Sequence, residues 1–284
     1  MKYQILIFTV AHFVLLSSCV NSEKKENEPE KMKNHKTEEK LKENIVFIHG
    51  FPMSASIWDS QIKALSKNYN CYAVDLPGYG SNLTHNGFNH SIDSYSDYVF
   101  QYIKENNLNP VHIVGMSMGG SITLNISRRY PDIVKSMTAI HTSAIVDTDE
   151  DKNKRDITIT AIKNGGLNDF IDRFADRLLS PNASDDIRKM YISLMKEASK
   201  EVVIAGYTAI RNRPDEFKNL KKLKIPVLVI AGKDDIGSSP KEMKEMADAI
   251  PNSTFKVISD CGHVAPLEKP QELNKFLLQW FQNY

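Results

Sequence analysis

One segment of the chain matches the pattern Gly-x-Ser-x-Gly, namely Gly115-Met116-Ser117-Met118-Gly119. It follows an apolar run and precedes a stretch with helical spacing. That context is typical of a nucleophile elbow, a strained turn from a strand into a helix that exposes the serine hydroxyl. The two glycines leave room where the helix and the strand come close. A structural serine in a glycine-rich turn is the alternative, but the context favours a nucleophile at Ser117.

A serine nucleophile needs a base, and the base needs an acid that orients it. The candidate base is His263, in Cys261-Gly262-His263 after the last apolar run. The candidate acid is Asp235, which follows the preceding apolar run, and its neighbour Asp234 is the alternative. Because each of these residues comes directly after an apolar run, we expect them to meet at the carboxyl ends of the strands of one sheet.

Two backbone N–H groups are needed to bind the negative charge that develops on a carbonyl oxygen. The N–H of Met118, directly after the nucleophile, is one candidate. The N–H of Phe51, in the segment His49-Gly50-Phe51-Pro52, is the other. Because only backbone atoms are required, both side chains can line an apolar pocket. His49 is interpreted as a structural brace and not as a second base.

The elements that position these residues alternate between strand and helix. Helical spacing of apolar residues predicts helices at 56–66, 93–106, 117–130 and 240–250 and from Pro270 onward. Short apolar, β-branched runs predict strands of a parallel sheet that is covered on both faces. These runs are residues 45–48, 71–74, 111–114, 136–140, 225–230 and 255–258. The alternation predicts an α/β fold with a doubly wound, mostly parallel sheet of about six strands.

Residues 144–220 interrupt this alternation. They contain no convincing strand, and apolar residues recur in them at helical spacing, as in Phe170-Phe174-Leu178. About 75 residues is long for a plain crossover. We therefore expect a helical insertion that overhangs the strand ends as a lid.

Composition excludes several classes of protein. The 284 residues are 41% hydrophobic, which is enough for a sizeable core and argues against global disorder. The balance of 36 basic and 35 acidic side chains argues against a nucleic-acid partner. Three cysteines are too few for a disulfide scaffold, and there is no spacing of Cys and His for a structural zinc site. Cys71 and Cys261 are expected to be free thiols.

The first 18 residues are typical of a signal peptide. Lys2 provides a positive charge, and residues 5–16 form a mostly apolar run that is short for a membrane span. The run ends in Leu16-Ser17-Ser18-Cys19, which resembles a bacterial lipobox. This resemblance implies cleavage before Cys19 and attachment of lipid chains there, which anchor a protein to a membrane. An ordinary secretory signal with a chance cysteine is the alternative.

Residues 19–44 are predicted to be the lipidated cysteine and a charged tether. Lys and Glu fill more than half of the positions after Cys19, which leaves little apolar surface to bury. The folded domain is predicted to span residues 45–284. We expect the protein in the bacterial cell envelope, on the outer membrane in a Gram-negative host because Val20 follows the cysteine, or else secreted or periplasmic.

From residue 45 to the end, the chain resembles the α/β-hydrolase superfamily. The shared motifs are His49-Gly50-Phe51-Pro52, the segment from Asp75 to Ser81, the elbow at Ser117, and Gly262-His263 with Leu267-Glu268-Lys269-Pro270. The stretch from Arg213-Pro214-Asp215 through Pro226 and on to Pro270 is most similar to the branch of enol-lactonases, carboxylesterases and haloperoxidase-like enzymes. The chain order Ser, Asp, His and the position of the acid after Gly232 imply Ser117, Asp235 and His263 as the triad.

The resemblance implies a serine hydrolase without a cofactor or a metal. The expected reaction is cleavage of an ester, lactone or similar carbonyl bond of a small, partly apolar substrate through an acyl-enzyme. A carbon–carbon bond hydrolase or a perhydrolase with the same triad is one alternative. A non-catalytic binding lipoprotein on this fold is another. The sequence does not identify a protein partner.

Overall fold

The computed structural model describes residues 41–84 and 86–284. Six parallel strands form one sheet in the order β2-β1-β3-β4-β5-β6. The strands are β1 (Asn44–Ile48), β2 (Asn70–Val74), β3 (Val111–Met116), β4 (Val134–Ile140), β5 (Val227–Gly232) and β6 (Ser253–Ile258). The predicted α/β fold with six parallel strands is therefore confirmed.

The burial of the strands follows from their places in the sheet. Every residue of β3 and of β5 is buried, because these central strands are covered on both faces. The edge strands β2 and β6 keep exposed or half-buried positions and carry more polar residues. Side chains from the central strands and from the helices that cover them form one continuous core.

Helices alternate with the strands as the spacing of apolar residues predicts. Outside the insertion the helices are α1 (Asp59–Leu65), α2 (Ile92–Glu105), α3 (Met118–Arg129), α8 (Pro240–Asp248), α9 (Ala265–Glu268) and α10 (Pro270–Phe281). Helix α1 packs against α10, and α2 packs against α3, which in turn contacts β3 and β4.

The predicted insertion is a group of four helices between β4 and β5. They are α4 (Asp149–Lys163), α5 (Leu167–Leu178), α6 (Asp185–Met195) and α7 (Lys200–Arg211). Three begin at a hydroxyl side chain that accepts a backbone N–H of the first turn, namely Thr148, Ser184 and Ser199. Helix α4 packs against α7, and α5 packs against α6. The segment thus forms a helical layer of its own.

The topology places two of the predicted site loops side by side. The strand order reverses between β1 and β3, which are hydrogen-bonded neighbours with Ile48 paired to Gly115. The loop after β1 and the elbow after β3 therefore leave the sheet next to each other. A reversal of strand order is where ligands bind in open α/β sheets.

Two residues before position 45 take part in contacts at the start of β1. Asn44 is the first residue of β1, and the Glu43 carboxylate contacts His112 at 2.9 Å and Lys135 at 2.6 Å. The signal segment 1–18, Cys19 and the tether up to residue 40 lie outside the described residues. Within residues 41–84 and 86–284, no helix is long and apolar enough to cross a membrane.

Candidate active site

Ser117 joins β3 to α3 with a backbone conformation that non-glycine residues rarely adopt. Its φ is 54° and its ψ is −117°. Two contacts from the end of β4 hold it there. The Ser117 N–H donates to the Ile140 carbonyl at 2.9 Å, and the Thr142 hydroxyl donates to the Ser117 carbonyl at 2.8 Å. The elbow predicted from the pattern is thus a strained turn fastened to the neighbouring strand.

The two glycines of the pattern are required by close backbone contacts. A Cβ at Gly115 would lie 2.2 Å from the carbonyl oxygen of Gly119. A Cβ at Gly119 would lie 2.3 Å from the carbonyl oxygen of Ile48 in β1. Both distances are far below van der Waals contact, so the approach of α3 to the sheet excludes any side chain at these positions.

The structure brings Ser117, His263 and Asp235 into one hydrogen-bonded row. Nε2 of His263 lies 2.9 Å from the Ser117 Oγ, and Nδ1 of His263 lies 2.8 Å from Asp235 Oδ2. These are the distances that transfer of a proton from a serine to a histidine requires. The three residues come from the ends of β3, β5 and β6, so the predicted meeting at one rim of the sheet is observed.

The environment of Asp235 favours its charged form. Its Oδ1 accepts the N–H groups of Gly237 at 2.7 Å and Ser238 at 3.0 Å. Burial by itself would raise the pKa of Asp235. The charge of His263 and the hydrogen bonds from His263 and His141 outweigh burial and hold this pKa well below its usual range. Asp235 can therefore balance a positive charge that forms on His263.

The alternative acid, Asp234, points elsewhere. Its Oδ2 accepts the hydroxyl of Ser180 at 2.7 Å, next to the end of α5. Of the two adjacent carboxylates, Asp235 is thus the one that contacts His263. The contact of Asp234 instead fastens the lid to the loop after β5.

Glu268 holds the loop that carries His263. Its buried carboxylate accepts three backbone N–H groups, from Ser180 at 2.8 Å, Gly262 at 3.0 Å and Val264 at 2.9 Å. Two of these donors flank His263 directly. The His263 N–H in turn donates to the Leu178 carbonyl at 2.7 Å. The base is therefore fixed from both sides by one acidic side chain and the end of α5.

The two N–H groups predicted for the oxyanion lie at the ends of neighbouring strands. Met118 is the first residue of α3, so its N–H has no acceptor within its own helix. The Phe51 N–H donates to no other group in the described part of the chain. Both residues line the pocket together with Ser117. Their amides are available to an oxygen atom of a bound substrate.

His49 is a neutral brace between two loops. Its Nδ1 donates to the Gly50 carbonyl at 3.0 Å, and its Nε2 accepts the N–H of Leu76 at 3.1 Å. Complete burial lowers the pKa of His49 to about 4. With both nitrogens occupied, it has no free site from which to act as a base on a substrate.

His141 is a site residue that the sequence analysis did not identify. It follows β4 and is fully buried, and its Nδ1 lies 3.1 Å from Asp235 Oδ2. Its Nε2 has no hydrogen-bond partner among the described residues. The available signal was its place directly after a strand of the sheet, the same signal that pointed to the triad.

The pocket at Ser117 has a volume of about 130 Å³ and is lined by two kinds of side chain. The apolar ones are Phe51, Met118, Phe174, Leu178, Tyr207 and Ile210. The cationic ones are Arg155, Arg177 and Arg213, all from the lid region. The apolar lining was predicted, but the arginines were not, since their spacing in the sequence did not indicate that they would converge.

Two further sets of reactive side chains have plain explanations. The described residues contain one cluster with metal-ligating chemistry, formed by His141, Asp235 and His263. Hydrogen bonds of 2.8 and 3.1 Å already join these groups. The predicted thiols Cys71 and Cys261 are free, and burial raises the pKa of both.

The sequence profile of the α/β hydrolase fold matches residues 43–270. The chain belongs to the α/β-hydrolase family. A curated relative of this α/β hydrolase, (E)-2-((N-methylformamido)methylene)succinate hydrolase from Acinetobacter baylyi, is 28% identical over 245 residues. The match covers 84% of this chain and 90% of that one.

Two solved structures superpose closely on this chain. An esterase from Thermogutta terrifontis has a TM-score of 0.81 at 26% identity, covering 85% of this chain and 90% of the other. The enol-lactonase from Burkholderia xenovorans has a TM-score of 0.78 at 20% identity, covering 85% and 92%. The second likeness shows a shared fold alone. An esterase and an enol-lactonase are thus among the structural neighbours of this chain.

Proposed function

We propose that this α/β hydrolase is a serine hydrolase that cleaves a carboxylic ester, a lactone or a similar carbonyl bond of a small substrate. The observation that carries this proposal is the unbroken row from Ser117 Oγ through His263 to Asp235, at 2.9 and 2.8 Å. The names of the relatives from A. baylyi and T. terrifontis, a hydrolase and an esterase, support the same class of reaction.

The reaction follows from the geometry. Ser117 Oγ attacks the carbonyl carbon while His263 Nε2 takes its proton, and Asp235 stabilises the imidazolium. The amides of Phe51 and Met118 bind the tetrahedral oxyanion. His263 then protonates the leaving alcohol, which leaves an acyl group on Ser117. Water activated by His263 releases the acid and regenerates the enzyme.

The pocket volume favours a small acyl group. At about 130 Å³ it is comparable with an engineered cavity of ~150 Å³ that holds benzene. A long acyl chain would have to extend out of such a pocket. Among p-nitrophenyl esters, we therefore expect the highest kcat/KM for short acyl chains.

The test is covalent labelling by a fluorophosphonate together with ester hydrolysis. The wild type is expected to be labelled, whereas Ser117→Ala should lose both labelling and turnover. Ser127→Ala is the matched control, because Ser127 lies near the other end of α3 and outside the pocket lining. Labelling of Ser117→Ala, or its absence in a folded wild type, would contradict the proposal. Hydrogen peroxide added as an acceptor tests the perhydrolase alternative.

We also propose that the protein is anchored to the bacterial envelope by lipid on Cys19. The sequence Leu16-Ser17-Ser18-Cys19 after a short apolar run supports this. Growth with an alkyne fatty acid should label the wild type and not Cys19→Ser. A signal peptide cleaved at another position, with no incorporation of lipid, would refute the anchor and leave the hydrolase proposal intact.

A further inference from the structure

The pocket is lined by three cationic side chains beside its apolar residues. Arg155 from α4, Arg177 from α5 and Arg213 after α7 all line it, and none of the described lining residues is acidic. The chain as a whole has a formal net charge of +1. The excess of arginines at the pocket is therefore a local feature and does not reflect a basic protein.

Two of the three arginines are held in place by one buried carboxylate. Arg155 donates to Asp147 through its Nε, and Arg213 Nη2 lies 2.8 Å from Asp147 Oδ1. Arg213 also donates to the Ile145 carbonyl at 2.7 and 2.9 Å. Asp147 neutralises one of these two positive charges, so the Arg155 and Arg213 pair keeps one net positive charge. The same contacts hold both guanidinium groups in place.

Arg177 is not tied down in this way. Its side chain is exposed and forms no ion pair with another described residue. Its five N–H donors form a planar fork that matches the two oxygens of a carboxylate. An unpaired fork on the wall of a pocket that already has excess positive charge has the charge and the geometry to bind an anion.

The Arg155 side chain lies among the aromatic residues of the same pocket. Its guanidinium carbon is 4.9 Å from the centre of the Tyr207 ring. That ring is 5.5 Å from the ring of Phe51, whose amide is proposed to bind the oxyanion. Because Ser117 and the three arginines line one pocket of about 130 Å³, a carboxylate on a short chain can contact an arginine while the reacting carbonyl lies at Ser117.

We propose that the substrate carries a free carboxylate in addition to the bond that Ser117 attacks. Its chemical class is a monoester of a short dicarboxylic acid or a lactone that bears a carboxylate, a refinement that rests on the function proposed above. Arg177 binds the carboxylate directly, and Arg155 and Arg213 supply the surrounding positive field. Charge-assisted, bidentate contacts of this kind are among the strongest hydrogen bonds in proteins.

The kinetic test compares two p-nitrophenyl esters of glutaric acid. In one the second carboxyl group is free and charged, and in the other it is a neutral methyl ester. The wild type is expected to favour the anionic ester in kcat/KM by about tenfold or more, as the loss of a charged hydrogen bond implies. The preference should shrink as NaCl is raised, because salt screens exposed charges. Equal or reversed preference would overturn the proposal while leaving the esterase activity established.

Variants of Arg177 locate the effect. Because Arg177 is exposed and unpaired, Arg177→Gln should fold normally and lower the ratio of the two kcat/KM values. Arg177→Lys should restore part of that ratio. Arg129→Gln is the matched control, since Arg129 ends the helix that Ser117 begins and pairs with Asp97 at 2.7 Å. An unchanged ratio in Arg177→Gln would refute its role.

A binding experiment separates this proposal from the hydrolase proposal. In Ser117→Ala, glutarate should raise the melting temperature, whereas neutral glutaramide should not. This result would support the anion site even if neither ester were hydrolysed, in which case the proposed function alone would fail. Equal shifts with the two compounds would overturn the carboxylate. A larger shift with inorganic phosphate would overturn it in favour of a phosphorylated substrate.

Discussion

His141 and His263 contact the same oxygen of Asp235, at 3.1 and 2.8 Å respectively. Only His263 reaches Ser117, at 2.9 Å. The Nε2 of His141 is buried without a partner in the described part of the chain, so its one hydrogen bond to another side chain serves the carboxylate. His141 is therefore a positioning residue, which helps to hold the charge and the orientation of Asp235.

Replacing His141 with Gln should slow the reaction more than it weakens substrate binding. The Asp235 carboxylate loses one of the donors that lower its pKa, and its orientation toward His263 loosens. We expect kcat to fall about tenfold, equivalent to ~1.4 kcal/mol, with KM changed much less. Steady-state kinetics with a short-chain p-nitrophenyl ester measure this split.

The matched control for that variant is His112→Gln. His112 is another fully buried histidine, but it sits at the start of β3 and bonds to Ser136 at 2.7 Å and Glu43 at 2.9 Å. The His112→Gln variant should lower the free energy of unfolding and leave kcat unchanged. A similar loss of kcat in both variants would show that His141 acts only through stability.

Replacing Glu268 with Gln should damage both the fold and the site. The neutral amide presents a single acceptor where the carboxylate receives the N–H groups of Ser180, Gly262 and Val264. We expect a loss of about 2–3 kcal/mol of unfolding free energy in urea and a lower kcat. Glu216→Gln, whose buried carboxylate receives Asn125 and Arg128, should lose stability without losing kcat. Identical kinetic behaviour of the two variants would contradict the role of Glu268.

Replacing Gly119 with Ala should destabilise the elbow strongly. The new Cβ would lie 2.3 Å from the Ile48 carbonyl oxygen, which belongs to the central sheet and cannot move away easily. We expect a loss of about 3 kcal/mol in urea unfolding. Gly50→Ala is milder, at about 1 kcal/mol, because its closest neighbour is the mobile end of the Met116 side chain at 3.0 Å. Equal costs would contradict the backbone clash.

The stability of the protein should decrease below neutral pH because His49 is buried in its neutral form. In the unfolded chain this histidine binds a proton near pH 6.5, but in the folded protein only near pH 4. Between these values the unfolded state takes up a proton that the folded state does not. His49 alone thus lowers the unfolding free energy by about 3 kcal/mol from pH 7 to pH 4.

Urea unfolding of the wild type and of His49→Gln at pH 7, 5.5 and 4.5 isolates this contribution. The nearby Asp75 carboxylate, whose pKa is lowered by the N–H groups of Ala55 and Ser81 despite burial, is present in both proteins. His49→Gln should be less stable at pH 7 but show a shallower decline with acid. Parallel pH profiles would disprove the assignment to His49.

The fold and the elbow could be predicted because their signals are local. Apolar runs of strand length and helical spacing of apolar residues recur along the chain, and each is set by neighbouring residues. In the same way, Gly115 is required by a clash with the backbone of Gly119, only four positions away. The positions after the strands indicated Asp235 and His263, because parallel strands end at one edge.

The choice between Asp234 and Asp235 and the role of His141 required the tertiary structure. Adjacent residues point in different directions, and a turn decides which of them faces His263. His141 and Asp235 are 94 positions apart and meet because β4 and β5 are neighbours in the sheet. No local pattern encodes that pairing of side chains.

The sequence by itself therefore determined the fold, the elbow and the strand ends that carry a serine, an acid and a base. Only the tertiary structure decided which charged side chains line the pocket with them. Arg155, Arg177 and Arg213 converge because the lid helices fold back over the strand ends, and Asp147 joins two of them. Packing between helices depends on contacts distant along the chain, so the charge of the pocket could not be derived from spacing.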